Sequence, residues 1–266
     1  MNSSRLSPLL LGGVVVLVVL AIVLFARARY DVDVPLTDLA VEDGVPLFLV
    51  PGYGGDPASM GAVERLLEER GRRVVSVALP GSGRGDIVSS ARALGEVITE
   101  EGASEVDVVG FSAGGLVART FVQQEGNDAK VRFLVLLGTP HHGTRLAGLA
   151  TALDPSLCAR GCRQMIPGSR FLRMLNSRDE SSSGTVSTNI YSADDGVVTP
   201  PESARLAGAR NVRIQDPCPD AQVPHSRLVT DPIALGLVVV ALDGGSGLID
   251  ADSCEDIRRL GIVAEN

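Results

Sequence analysis

The string Gly110-Phe111-Ser112-Ala113-Gly114 sets a hydroxyl between small residues in the pattern G-x-S-x-G. In a chain rich in Gly and Ser the string alone carries little weight. Its setting adds more: the Val-rich run Val106–Gly110 reads as a strand and the segment from Ala113 as a helix. A strand-turn-helix lifts the serine onto a sharp elbow, and Gly110 and Gly114 leave room for the tight turn. A serine hydroxyl is a poor nucleophile until a base takes its proton, and the base needs a carboxylate to orient it. An elbow of this kind calls for the chain order serine, acid, histidine. His141 and His142 come before any late acidic loop, which leaves His225 as the base. The acid is Asp194 or Asp195, both after the apolar run ending at Tyr191 and before Gly196-Val197-Val198. The chemistry is acyl transfer through a covalent acyl-enzyme.

A developing oxyanion needs two backbone donors. The residue after the nucleophile, Ala113, supplies one. The glycine-rich loop Pro51-Gly52-Tyr53-Gly54-Gly55 is the source of the other, with Tyr53 as first candidate and Gly54 as second. No Lys-Ser or Lys-Thr pair follows these glycines, so a phosphate cradle does not fit. The adjacent His141 and His142 diverge and lack a third ligand, which favours a structural role beneath the pocket over a metal site. Arg84-Gly85-Asp86 spells an adhesion tripeptide but reads as a loop after a strand. The chemistry calls for no cofactor.

These residues need a frame. Strands are expected at 45–50, 73–79, 106–110, 131–137, 186–191 and 211–214, and helices at 58–70, 87–101, 113–124, near 201–206 and at 232–242. Strands alternating with helices at this cadence predict an α/β domain with a mainly parallel sheet covered on both faces. Between Pro140 and Gly184 the regularity breaks, as in a lid or binding insertion, with Leu146, Leu149 and Leu153 offering one apolar helical face to the pocket. The tail at 243–266 is polar apart from a short helical patch, and its cysteine argues that it is docked.

The 266 residues, 45% hydrophobic, suffice for one sizeable core over 45–266. Ahead of it, 30–44 reads as a linker and 1–29 as a targeting segment. The uncharged apolar run Leu9–Ala26, flanked by Arg5, Arg27 and Arg29, fits either a signal peptide cleaved near Ala26-Arg27-Ala28 or an uncleaved transmembrane anchor. Both imply an extracytoplasmic domain, membrane-attached or secreted. The four cysteines agree with export: the spacing of Cys158 and Cys162 favours a local loop, leaving Cys218 to pair with Cys254. A net charge of −8 argues against a nucleic-acid partner, and the absence of Trp leaves few stacking platforms.

In combination, the Pro-Gly-Tyr-Gly-Gly loop, the run Gly110–Arg119, Leu137-Gly-Thr-Pro-His-His-Gly143, the Asp195 loop and His225-Ser-Arg-Leu228 resemble the bacterial class 2 lipases, close to the small lipase A group. The likeness runs from Pro46 to about Leu242. It implies the α/β-hydrolase fold and hydrolysis of carboxylic esters, acyl-glycerols or similar lipidic substrates. It also selects Asp195 over Asp194, because Asp-x-Val-Val puts the acid at the loop apex in such hydrolases. Phe111 and Pro51 stand where the family usually has histidines, which bears on substrate preference. An acyltransferase or thioesterase would use the same three residues, and an inactive membrane-attached binding protein is the reading from another class.

Overall fold

A computed structural model describes residues 44–124, 127–244 and 254–263. The apolar run Leu9–Ala26, the proposed cleavage site and nearly all of the linker fall outside the described residues. Among the described residues no helix is long and apolar enough to cross a membrane.

Six strands form, β1 (Leu47–Val50), β2 (Val74–Ser76), β3 (Val106–Phe111), β4 (Val131–Leu137), β5 (Val186–Tyr191) and β6 (Arg210–Arg213), the first five from runs rich in Val, Leu, Ile or Thr and the last with Val212 alone as its apolar residue. They make one sheet in the order β2-β1-β3-β4-β5-β6, with every pairing parallel. The chain steps outward from β1 to β2 and returns to the other side of β1 at β3. That reversal opens a crevice beyond the C-terminal ends of β1 and β3, where ligands of open parallel sheets bind. The strand expected at 73–79 shrinks to three residues. β2 is an edge strand paired with β1 alone, and the chain turns away toward Pro80.

Both faces of the sheet are covered. Phe48 and Val50 join a core cluster with residues of α2 (Ile87–Glu100) and α3 (Ala113–Val122), which pack on one another. Leu47 and Leu49 alternate to the opposite face, where α1 (Gly61–Glu69) meets the late helix α7 (Pro232–Leu242). Every residue of α7 from Ile233 to Leu242 is buried. A helix apolar all round needs cover on all sides, and α8 (Cys254–Leu260) supplies the outer layer. A Cβ on Gly236 would lie 1.8 Å from the Ile257 carbonyl oxygen, so the two helices cross backbone to backbone. The Cys218–Cys254 disulfide and buried Ile257 and Leu260 hold α8 down. The part of the tail that is described is docked, as its cysteine indicated.

At the start of β3 the fully buried Asp107 pairs with Arg72, pairs with Arg132 at 2.7 Å and accepts the Phe133 amide at 3.2 Å. A carboxylate in that position is tolerated because several donors surround it. Between β4 and β5 lie three short helices, α4 (Arg145–Leu153), α5 (Arg160–Gln164) and α6 (Arg170–Leu175), with a second disulfide between Cys158 and Cys162. The helix expected near 201–206 is only a 3-10 turn at Pro201–Ala204. Consecutive prolines at 200 and 201 remove the donors a longer helix would need.

Candidate active site

Three loops from the C-terminal ends of strands meet at the crevice. β3 ends in Ser112, whose φ of 53° and ψ of −122° are rare for a residue with a side chain. Such geometry costs about 1–3 kcal/mol and persists only where the surroundings enforce it. Here they do. The Ser112 amide donates to the Leu137 carbonyl at 2.7 Å. A Cβ on Gly110 would come within 2.6 Å of the Gly115 Cα, and one on Gly114 within 2.2 Å of the Val50 carbonyl oxygen. The elbow can form only because these positions are glycine.

His225 opens a 3-10 turn at His225–Arg227, after β6. Its Nε2 lies 3.0 Å from Ser112 Oγ and its Nδ1 lies 2.6 Å from Asp195 Oδ2. The other carboxylate oxygen of Asp195 accepts the Val197 and Val198 amides at 2.9 and 2.8 Å. The carboxylate is thus fixed in a turn of its own making, and the imidazole is held between it and the hydroxyl. All three residues are at most 9% exposed. Gly138, at the end of β4, makes space for the pair: a Cβ there would stand 3.2 Å from both Asp195 Oδ2 and His225 Nδ1. Asp194 points elsewhere. It is exposed, and its side chain accepts from Gln215 at 3.2 Å.

Of the two glycine-loop candidates, the Gly54 amide already donates to the Ser82 carbonyl at 2.8 Å. The Tyr53 amide has no such acceptor among the described residues. Its loop lies against Ser112, since a Cβ on Gly52 would meet Ser112 Cβ at 3.1 Å. Ala113 begins α3, where the first amides have no intrahelical acceptor. The Tyr53 side chain bonds outward: its hydroxyl accepts the Ala159 amide at 3.3 Å, and the Arg84 guanidinium lies 5.4 Å from its ring centroid.

Ser112 and His225 form part of the wall of a cavity of about 420 Å³. Its other walls are mostly apolar, among them Phe111, Val198 and, from the insertion, Leu146, Ala147, Ala150 and Met165. Phe111 also packs on the His225 ring, with centroids 5.0 Å apart. No local pattern in the residues announces that contact. One expectation is corrected here. Leu149 and Leu153 do not face the pocket; they are 56% and 74% exposed, and the small Ala147 and Ala150 let α4 pack close over the cavity instead.

The adjacent histidines part company. His141 is fully buried, and burial pushes its pKa well below the usual histidine value, with the nearby Arg119 and His142 charges acting in the same direction. His142 is exposed and lies 2.9 Å from Glu180. The buried Arg119 is lowered to about 10 by burial, against the pull of Glu180. It is held by the carbonyls of Glu180 and Leu175 and by Asn176 Oδ1, a network in which the insertion is fastened to α3. In Arg84-Gly85-Asp86, the Arg84 carbonyl accepts the Gly161 amide, and Asp86 caps α2 while pairing with Arg160 at 2.5 Å. That tripeptide is spent on internal contacts. Among the described residues, no three His, Cys, Asp or Glu gather as a metal site.

A sequence family described as "Domain of unknown function (DUF7379)" matches residues 85–154, the stretch from the start of α2 through the elbow to α4. No curated protein matches the sequence. Among solved structures, lipase B of Aspergillus fumigatus is similar over 85% of this chain and 58% of its own, at 23% identity and a TM-score of 0.69. The chain thus spans less than two thirds of that fungal protein. The mature lipase BlEst2 of Bacillus licheniformis is similar over 65% of this chain and 84% of its own, at 19% identity and a TM-score of 0.51. An α/β hydrolase from a lagoon-sediment metagenome, MGS-MChE2, is similar over 74% and 89%, at 19% and 0.51. These likenesses give the chain the α/β-hydrolase fold, in agreement with its parallel sheet.

Proposed function

We propose that this chain is a serine hydrolase that cleaves carboxylic esters of lipidic character. The observation that carries the reading is the unbroken hydrogen-bonded line from Ser112 through His225 to Asp195, opening onto a mostly apolar cavity. In this mechanism Ser112 Oγ attacks the ester carbonyl while His225 Nε2 takes its proton. Asp195 holds the imidazolium that forms. The negative oxygen of the tetrahedral intermediate lies against the Tyr53 and Ala113 amides, each worth about 3 kcal/mol in comparable sites. The imidazolium then protonates the departing alkoxide, water attacks the acyl-enzyme with His225 as base, and the carboxylic acid leaves. The acyl chain extends along Leu146, Ala147 and Ala150.

We also take residues 1–29 to be an export segment, cleaved or retained as an anchor, with the hydrolase domain at 45–266 outside the cytoplasm. Two disulfides support an oxidising compartment. The likeness to class 2 lipases favours acyl-glycerols as substrates.

The test is direct. A fluorophosphonate probe labels the parent protein, Ser112→Ala abolishes both labelling and turnover of p-nitrophenyl esters, and persistent labelling at another residue overturns the assignment. Adding competing acyl acceptors separates hydrolysis from acyl transfer.

A further inference from the structure

The insertion differs in charge from the rest of the molecule. Residues 140–184 contain six arginines, no lysine and three acidic residues, Asp154, Asp179 and Glu180, in a chain of net charge −8. All six, Arg145, Arg160, Arg163, Arg170, Arg173 and Arg178, are exposed. Arg160 is matched by Asp86, and Arg163 and Arg173 each donate to a backbone carbonyl, which orients but does not neutralise them. Arg170 and Arg178 have no ion-pair partner among the described residues, and with Arg160 and Arg163 they line a groove of about 720 Å³.

The same segment carries most of the large apolar side chains that the described residues leave in solvent. Leu149, Leu153, Leu157 and Met174 are 56%, 74%, 63% and 64% exposed. Met174 borders the arginine groove and Leu157 the active-site cavity. The groove and the cavity share α5 as a wall, with Arg160 and Arg163 on one side and Cys162 on the other. Exposed apolar side chains that alternate along one segment with exposed arginines form a poor free surface in water. They suit a boundary where hydrocarbon lies beneath a layer of negative charge.

We propose that this face of the insertion docks on an anionic lipid surface, its leucines entering the acyl boundary and its arginines meeting lipid phosphates. The inference goes beyond the ester-hydrolase reading and does not require turnover, so the two fail separately.

The chain has no Trp, so Leu153→Trp sets a single indole on the proposed face. The full chain is prepared with Ser112→Ala and Leu153→Trp and mixed with phosphatidylcholine vesicles, either alone or with about one third phosphatidylglycerol. With the anionic vesicles at low salt, the indole emission shifts to the blue and is quenched by brominated lipid. With zwitterionic vesicles, or at high salt, most of that change is lost. Adding Arg170→Gln, Arg173→Gln and Arg178→Gln weakens the indole-reported binding by about a hundredfold. Residues 1–29 contain no Trp, so the indole signal comes from this face alone, and the salt and lipid dependence is read against the same chain on zwitterionic vesicles. An indole that stays in water with anionic vesicles, or enters both vesicle types equally and without regard to salt, overturns the proposal. The salt and lipid dependence of the protein with its arginines intact decides the matter even if the triple substitution fails to fold.

Discussion

Gly114→Ala is the sharpest probe of how the proposed oxyanion loop and the elbow fit together. A Cβ at this position would lie 2.2 Å from the Val50 carbonyl oxygen and 2.4 Å from that of Pro51, where ordinary contact begins at 3.4 Å. Both atoms are backbone, so no side chain can swing aside. The start of α3 or the Pro51–Tyr53 loop must shift by about 1 Å, and a misplacement of that size is enough to spoil alignment at a reacting centre. Either movement carries one amide out of range of the oxyanion. Loss of one such donor lowers kcat by about 100- to 1,000-fold. The assay is kcat on p-nitrophenyl butyrate, paired with thermal melting by circular dichroism. Gly61→Ala is the control: its new methyl would meet only the Arg65 side chain at 3.5 Å, an ordinary contact, and both readouts should stay near the parent. A Gly114→Ala protein with parental melting and kcat within about threefold of the parent would refute the packing argument.

The two aspartates should separate cleanly. Asp195→Asn is expected to lower kcat by about ten thousandfold, because an amide cannot hold the imidazole in the required tautomer, whereas Asp194→Asn should stay within about threefold, as an exposed carboxylate away from His225; equal losses would contradict the assignment. His141 makes stability depend on pH. Its folded pKa lies below its unfolded value near 6.5, so below that pH the unfolded chain binds the extra proton. The stability that the neutral buried ring supplies is present above pH 6.5 and is lost, at up to about 1.4 kcal/mol per pH unit, as pH falls. Urea midpoints measured at neutral and mildly acid pH should therefore diverge more for the parent than for His141→Gln, and identical pH slopes would remove His141 as the cause.

Much of this was legible in the residues because the central strands β1, β3 and β4 are short apolar runs that are largely buried. β4, β5 and α7 begin and end where their patterns do, since apolar density stops abruptly at Gly138, at Ser192 and at the polar Asp243. Ser112 and His225 could be picked by residue type and chain order. Asp195 could not be separated from Asp194 by spacing alone, because neighbours in a turn point in different directions and only the path of the loop decides which meets the imidazole. Family resemblance made that choice. The Arg119 network, the Phe111 contact with His225 and the bond from Ala159 to Tyr53 stayed hidden for another reason. Each joins segments far apart in sequence, and no local pattern records such a meeting. The leucines of α4 misled because periodicity identifies an apolar stripe without saying which medium it faces.

The spacing of the three reactive side chains along the polypeptide also bears on how the protein is made. Ser112 is translated 113 residues ahead of the histidine that bonds to it, and Asp195 follows 30 residues before that histidine. A ribosome that has delivered the elbow has therefore delivered an inert alcohol. On the proposed mechanism, reactivity arrives late, once the turn bearing position 225 has emerged and seated itself. If the proposed export takes the chain across unfolded, it crosses the membrane before that hydrogen-bonded line exists.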